Sequence, residues 1–264
     1  MNLELTNLHV LITGGSKGIG LACARGFIAE GARVTLVSRT LETLQSAQRE
    51  LQSATPSATV NIIAADLRNA AEAERMVDAV ERDFGAVDVL VNSAGAAKRT
   101  PAAELTTGAW HDAMEAKFFT YIHVINPLIK KMGARGRGAV VNVIGAGGKV
   151  AAVTHLAGGS ANAALMLASS GLAAAYAGKG VRVNAVNPGL TLTERLQEGM
   201  QAEARQQGIS MEEALARAKA TRPLGRIAEP SEIADAVVYL ASNRASYITG
   251  AVVAMDGGVT PMVV

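Results

Sequence analysis

The sequence predicts one α/β domain, a doubly wound parallel sheet of about seven strands with helices on both faces. Three observations predict it. Short apolar, β-branched runs alternate with helical stretches along the whole chain. A glycine-rich turn, Thr13-Gly14-Gly15-Ser16-Lys17-Gly18-Ile19-Gly20, stands between the first run and the first helical stretch. The chain has 264 residues, enough for one large core, and 49% of them are apolar, which excludes a disordered chain. Strands that alternate with helices need right-handed crossovers, and those cover a parallel sheet on both faces.

Val10-Leu11-Ile12 reads as the first strand and Leu21 to Ile28 as the first helix. The turn between them is either a plain tight turn or a phosphate cradle, in which glycines let backbone approach a ligand and helix N–H groups face it. Val34 to Val37 is the second strand, followed by a helix from Leu41 to Leu51. Val60 to Ile63 is the third, ending at Asp66, and a charged amphipathic helix runs from Ala71 to Phe84. Val87 to Val91 is the fourth and leads into Asn92-Ser93-Ala94-Gly95. Two helical segments fill 103–132, and Val140 to Ile144 is the fifth strand. The Gly/Ala-rich stretch 145–180 reads as a close-packed helix, from Ser160 to Ala177, and not as a linker. Val181 to Val186 is the sixth strand, with helices over 193–220 and 231–241, and Ala251 to Ala254 is the last. In such a sheet the ligand lies at the carboxyl ends of the strands. The glycine turn, Arg39, Asp66, Asn92 to Gly95 and Pro188-Gly189 all fall there.

Composition excludes several function classes. Net charge is +2 and the basic residues are scattered without interleaved aromatics, so there is no nucleic-acid footprint. The lone Cys23 forms no internal disulfide and reads as small core filler, in keeping with a reducing compartment. His9, His111 and His123 have no metal-ligand spacing, so no metal site is expected. The N-terminus has no basic region followed by an apolar one, and no apolar run reaches the ~18–20 residues of a membrane span. A soluble cytoplasmic protein with no membrane partner is expected.

Further motifs follow in order. Asn187-Pro188-Gly189 with Thr193 reads N-P-G-x-x-x-T, and Pro223 to Arg226, Pro230 to Ala234, Tyr239 to Ser242, Ile248 to Gly250 and Asp256 to Gly258 close the chain. With the T-G-x-x-x-G-x-G turn and the N-S-A-G of residues 92–95, these resemble the short-chain dehydrogenase/reductase family over nearly the whole length, which implies a Rossmann-type fold. The resemblance implies a dinucleotide held by Gly14, Ser16, Lys17, Gly18, Ile19 and Gly20 of the turn, by Ser38 and Arg39, and by Asp66 and Leu67 flanking the adenine. Asn92, Ala94, Gly95, Pro188, Gly189, Thr191 and Thr193 complete the set. Where NAD(H) enzymes carry an acid for the ribose hydroxyls, this chain has Ser38-Arg39, and Lys17 adds a second cation, so NADP(H) is expected rather than NAD(H). The bland alternatives are a solvated Arg39, a surface Lys17 and an Asp66 that caps the next helix. The family also implies a homo-oligomer, a tetramer or dimer, to which the apolar tail Val259-Thr260-Pro261-Met262-Val263-Val264 suits itself. The stretch 193–222, with Met200 and Met211 on an otherwise polar helix, is expected to be a substrate lid.

The catalytic pattern departs from the family. Relatives interconvert carbonyl and alcohol with an Asn, a Ser and a Tyr-x-x-x-Lys pair, the Tyr giving the proton. Here those four positions are Lys117, Gly145, Gly158 and Asn162, with the spacing between Gly145 and Gly158 kept. Asn and Lys are thus exchanged, which suggests that Lys117 projects into the crevice towards the nicotinamide ribose and meets Asn162 or the cofactor; drift in a dead site is the alternative. Gly158 is expected to leave a void. The candidate proton donors are Lys117 and His155, with Thr154 and Ser160 as hydroxyls of the same loop. Three functions stay open: a reductase of a small-molecule carbonyl with an unusual proton donor, a non-redox isomerase or lyase, and a catalytically silent nucleotide-binding subunit.

Overall fold

The computed structural model describes residues 2–95 and 97–262. Its strands are β1 (His9–Thr13), β2 (Arg33–Ser38), β3 (Val60–Ala64), β4 (Val89–Asn92), β5 (Gly138–Val143), β6 (Val181–Pro188) and β7 (Val252–Met255). All pair in parallel, in the order β3-β2-β1-β4-β5-β6-β7. Strand order reverses between β1 and β4, so the crevice opens there, at the strands' carboxyl ends. Side chains alternate across each strand. Val10 and Ile12 of β1 therefore enter one core layer, and Leu11 enters the other. The first layer packs α1 (Gly18–Ala29), α2 (Leu41–Ala54) and α9 (Pro230–Ala241) on the sheet; the second packs α3 (Ala70–Phe84), α5 (Thr120–Arg135) and α6 (Leu156–Ala177).

Two helical expectations need correction. The segment 103–132 is α4 (Thr107–Ala113) running through a π-helical turn, Met114–Phe119, straight into α5. A π turn carries one extra residue and marks functional sites often; this one carries Lys117. The Ala-rich helix starts at Leu156, four residues earlier than expected, with His155 as its N-cap residue. Gly158 and Ser160 are therefore helical, and Ser160 is not a loop hydroxyl.

The stretch expected to be a lid is α7 (Glu194–Gln207) and α8 (Met211–Ala220). They bury a small apolar cluster of their own, Met200, Ala204 and Ala214 against Leu196, Ile209 and Met211, separate from both main layers. Cys23 is fully buried in α1, and burial pushes its thiol up to about 12, as suits a core filler. Among the described residues no helix is long and apolar enough to cross a membrane, and no group of His, Cys, Asp and Glu side chains has the makings of a metal site. Val259 and Met262 of the tail are exposed, and Val263 and Val264 lie outside the described residues.

Candidate active site

The glycine turn closes tightly. A side chain at Gly20 would run into the carbonyl of Gly14, whose carbon would stand 2.8 Å from the added atom. Gly14 itself takes φ +66° with its back to the Ser93 carbonyl. The turn delivers Lys17 as the N-cap residue of α1, whose first turn carries no acid. Ser16 and Ile19 are half-buried, Ile19 against the core. Gly18 backs onto Thr193, whose Cγ2 lies 3.3 Å from where a Cβ would stand. Thr193 also caps α7, accepting from Leu196 N at 3.3 Å. Pro188 is buried at the end of β6, Gly189 donates to Met255 O at 3.0 Å, and buried Thr191 reaches Gly189 O at 3.3 Å. The N-P-G-x-x-x-T segment thus lies over the glycine turn.

At the other end Ser38 closes β2 with its hydroxyl on Thr40 O, and Arg39 is exposed. Lys17 pairs loosely with Glu194, at 3.8 Å between two exposed side chains. Asp66 does not cap α3; Asn69 does, accepting from Glu72 N at 3.0 Å. The Asp66 carboxylate takes Arg68 at 2.9 Å, which holds it below the usual carboxylate range. Leu67 is buried, and its carbonyl accepts from His123 Nδ1 at 2.9 Å. Asn92 closes β4 with its side chain buried. Its side chain joins a buried ladder across β1, β4, β5 and α6: Thr13 Oγ1 donates to Asn92 Oδ1, Asn92 Nδ2 to Asn142 Oδ1 and Asn142 Nδ2 to Ser169 Oγ, at 3.2, 3.0 and 2.9 Å. The ladder fastens the 92–95 turn, where Ala94 N donates to Thr13 Oγ1 and Gly95 takes φ +83°. Gly95 packs so close to the Ala116 carbonyl that no side chain fits. That contact sets the π turn against the crevice.

Lys117 turns inward. Its ammonium donates to Tyr121 Oη at 2.9 Å and to Val143 O at 3.2 Å, and it sits 4.5 Å from the centre of the Tyr121 ring. Tyr121 is fully buried and donates its own hydroxyl to Val143 O at 2.6 Å. The expected inward course is there, but the hydrogen bonds go to Tyr121 and Val143 and not to Asn162. Burial, helped by the charge of Arg195, brings the Lys117 amine down from 10.5 to about 7. The Tyr121 phenol is pushed up by the same burial.

No void stands at Gly158. The His155 ring fills it: a Cβ at Gly158 would overlap His155 Cε1 and fall 2.6 Å from Nε2, with Ala97 Cβ at 2.8 Å on the other side. His155 folds over its own helix start, also touching Gly147, where the added atom would lie 3.2 Å from Cδ2. Its Nδ1 is buried with no partner. Burial first, then the charges of Arg99, Arg195 and Lys117, hold its imidazole below the ordinary 6.5. The same exchange of space occurs at Gly145, where a Cβ would fall 3.2 Å from Asn162 Nδ2. The buried Asn162 Oδ1 has no partner either. His155 thus borders Gly158 and Asn162 borders Gly145, while Lys117 rests on Tyr121 and Val143. Tyr121 escaped sequence reasoning, although it stands four residues after Lys117, a spacing that joins side chains along a helix.

A family model described as enoyl-(acyl carrier protein) reductase matches residues 14–260. The chain belongs to the short-chain dehydrogenase/reductase family. D-threitol dehydrogenase of Mycolicibacterium smegmatis is 34% identical over 98% of this chain and 95% of its own. L-sorbose reductase of Gluconobacter frateurii, solved with NADPH and L-sorbose, is 30% identical with a TM-score of 0.94, covering 100% of both chains. An NADPH-bound short-chain oxidoreductase of Pseudomonas aeruginosa PAO1, described as containing an atypical catalytic center, is 31% identical with a TM-score of 0.88, over 98% of this chain and 100% of its own.

Proposed function

We propose that the protein is an NADP(H)-dependent oxidoreductase that interconverts a small-molecule carbonyl and its alcohol, with His155 standing in for the family's tyrosine. One observation carries the reading: the His155 ring fills the space that Gly158 vacates. The cofactor fits what the residues offer. The Gly14–Gly20 turn leads into the start of α1, where backbone N–H groups suit a pyrophosphate, and Ser38 with Arg39 supplies a hydroxyl and a cation, without an acid, for a 2′-phosphate. NADPH in the structures of two relatives of 30% and 31% identity supports it.

Bound NADPH supplies a hydride to the carbonyl carbon. The chain must then bring one proton to the carbonyl oxygen. His155 does so as imidazolium, and in the reverse direction its neutral ring takes the proton from the alcohol. Because its pKa lies below 6.5, the base form prevails at neutral pH, and reduction gains as pH falls. An ammonium has three N–H donors. Lys117 spends two on Tyr121 and Val143, and the third serves the nicotinamide ribose or a water shared with Asn162. Helices α7 and α8 close over the substrate. A dimer or tetramer of this chain accompanies the reading, supported by exposed Leu167 on α6 and Met262 in the tail.

Cofactor fluorescence on titration with NADPH and NADH tests the first half. NADPH oxidation with a carbonyl panel, for wild type and His155→Ala, tests the second. Failure to bind NADPH, or equal turnover by the variant, overturns the proposal. A second reading, a non-redox isomerase or lyase, draws on the Lys117 amine near 7, a value suited to attack on a carbonyl. It predicts turnover with no change in nicotinamide absorbance.

A further inference from the structure

The side-chain amide of Asn162 has no partner at either end. Asn162 lies in the second turn of α6 and is only 5% exposed. Its Oδ1 is enclosed without a donor, and among the described residues its Nδ2 makes no hydrogen bond. The polar groups beside it are already paired. Tyr121 and Lys117 both donate to Val143 O, at 2.6 and 3.2 Å, and Asn187 Nδ2 donates to Ile144 O at 2.6 Å.

Rigid contacts place this amide. Residues 145–148 leave the end of β5 and lie on the first turns of α6. A Cβ at Gly148 would fall 2.7 Å from Ala163 N, and one at Gly159 would fall 2.7 Å from Gly147 O. At the head of the segment, a Cβ on Gly145 would fall 3.2 Å from Asn162 Nδ2 and meet no other atom within 4 Å beyond its chain neighbours. Gly145 has φ −57° and ψ 146°, which any residue adopts, so the backbone does not ask for glycine there. The space goes to the amide. His155 stands on the same face of the helix. Its ring takes the place of a Cβ at Gly158, and Asn162 follows Gly158 by four residues. Side chains so spaced are neighbours, about 5–6 Å apart at Cβ, and they lean towards the helix start. The amide therefore leans towards the ring.

We propose that Asn162 is a catalytic residue, whose Nδ2 donates to the reacting oxygen of the substrate while His155 supplies the proton. This deepens the oxidoreductase reading and rests on it for the hydride and for His155. As hydride adds to the carbonyl carbon, the π pair of the C=O bond passes to oxygen. The amide N–H holds that charge and keeps its own proton. The imidazolium N–H bond then breaks, its proton forms the alcohol O–H, and its electron pair stays on nitrogen. A donor fixed in place beforehand stabilises the charge without reorganising as it appears.

The first test needs no turnover. The phenolate form of 4-nitrophenol carries the charge on oxygen that the reaction develops, and absorbance separates it from the phenol. The intact chain is titrated with it at pH 7, with and without saturating NADP⁺. Wild type is expected to bind the phenolate. Asn162→Leu keeps the shape and removes the donor, and is expected to bind it about ten-fold less tightly with NADP⁺ affinity unchanged. Leucine also removes an enclosed acceptor that has no partner, so urea unfolding is expected to show no loss of stability. Asn162→Ala, the second variant, is expected to show the same loss of phenolate. With butan-2-one, acetoin and cyclohexanone as carbonyls, both variants are expected to lower kcat for NADPH oxidation by about 10²-fold with KM little changed. Absence of phenolate binding by wild type, phenolate binding that neither variant weakens, or a kcat that both variants keep overturns the proposal. Phenolate binding that depends on Asn162, with no NADPH oxidation by any of the ketones, upholds the donor and counts against the oxidoreductase reading alone. Turnover that His155→Ala abolishes and both Asn162 variants retain counts against the donor alone.

Discussion

Replacing Gly158 by alanine tests the His155 assignment through one methyl group. The new Cβ would overlap His155 Cε1 and fall 2.6 Å from Nε2, and Ala97 Cβ at 2.8 Å closes the other side. The ring must retreat by about 1 Å to reach ordinary contact, because the methyl has nowhere else to go. Over-packing of this kind costs about 1–3 kcal/mol, and the better helix propensity of alanine returns up to ~1 kcal/mol, so stability falls by roughly 0–3 kcal/mol. Activity falls further, since a misplacement of about 1 Å in a proton-transfer group costs on the order of 10²-fold. The assay is kcat/KM for NADPH oxidation, together with NADPH affinity by fluorescence, which is expected to stay unchanged. His155→Ala supplies the control. With the ring gone, Gly158→Ala has free space and is expected to cost nothing more, so the two substitutions are strongly non-additive. The reasoning is refuted if Gly158→Ala alone leaves kcat/KM intact, or if it costs as much in the His155→Ala background as in the wild type.

Other perturbations read other parts of the site. Tyr121→Phe removes one acceptor of the Lys117 ammonium, so the amine is expected to titrate below about 7 and to shift the pH–rate limb it governs to lower pH, with a stability loss of about 1–2 kcal/mol; an unmoved limb would count against the pair. Arg39→Ala is expected to weaken NADPH by roughly ten-fold and leave NADH unchanged, since only the former carries a 2′-phosphate; fluorescence titration of both decides. His9 is fully buried, its Nδ1 donating to Gly85 O and its Nε2 paired with Thr35 Oγ1, both at 2.8 Å, and burial lowers its pKa from 6.5. The unfolded chain therefore binds the extra proton first, and stability is expected to fall as pH drops below 6.5. Urea midpoints from pH 8 to 5 should show that slope, and His9→Gln should flatten it. Asn142→Ala cuts the ladder between Asn92 and Ser169 and leaves the buried Asn92 Nδ2 donor and the Ser169 Oγ acceptor without their partner, at an expected cost of about 2–3 kcal/mol in urea unfolding.

Every strand was legible in the sequence because each is an apolar, β-branched run bounded by turn residues, and their alternation with helices leaves few topologies. Boundaries were less so. The α6 start was hidden because Leu156-Ala157-Gly158-Gly159 has poor helix propensity, and packing against the π turn overrides it. The π turn itself has no sequence signature; it is one extra residue in a helix whose apolar face continues on both sides. Asp66 reads as a cap from its type and place, yet the chain runs three residues further before α3 begins, and Asn69 takes the role. The glycines at 145 and 158 were legible as departures, but not what fills them. The sequence shows a glycine at 158 and not its neighbour; the structure puts the His155 ring there, with φ −136° and ψ 29° at the helix start.

These paired changes bear on whether the site has decayed. Drift in an unused crevice removes side chains one at a time and leaves cavities, or fills them with apolar groups that improve packing. Here each vacated space borders a polar side chain: His155 at Gly158 and Asn162 at Gly145. Both bring a buried polar atom without a partner, which costs free energy that a methyl group would not. Lys117 adds an enclosed amine with no described carboxylate beside it, a further cost. Selection for stability alone would remove all three. On the proposed function their retention is explained, because substrate and cofactor would supply partners for the unpaired groups. One measurement separates the enzyme readings from the silent subunit. Ligand-free protein should gain stability from His155→Leu and Lys117→Met while losing turnover. A silent scaffold would gain the same stability and has no turnover to lose.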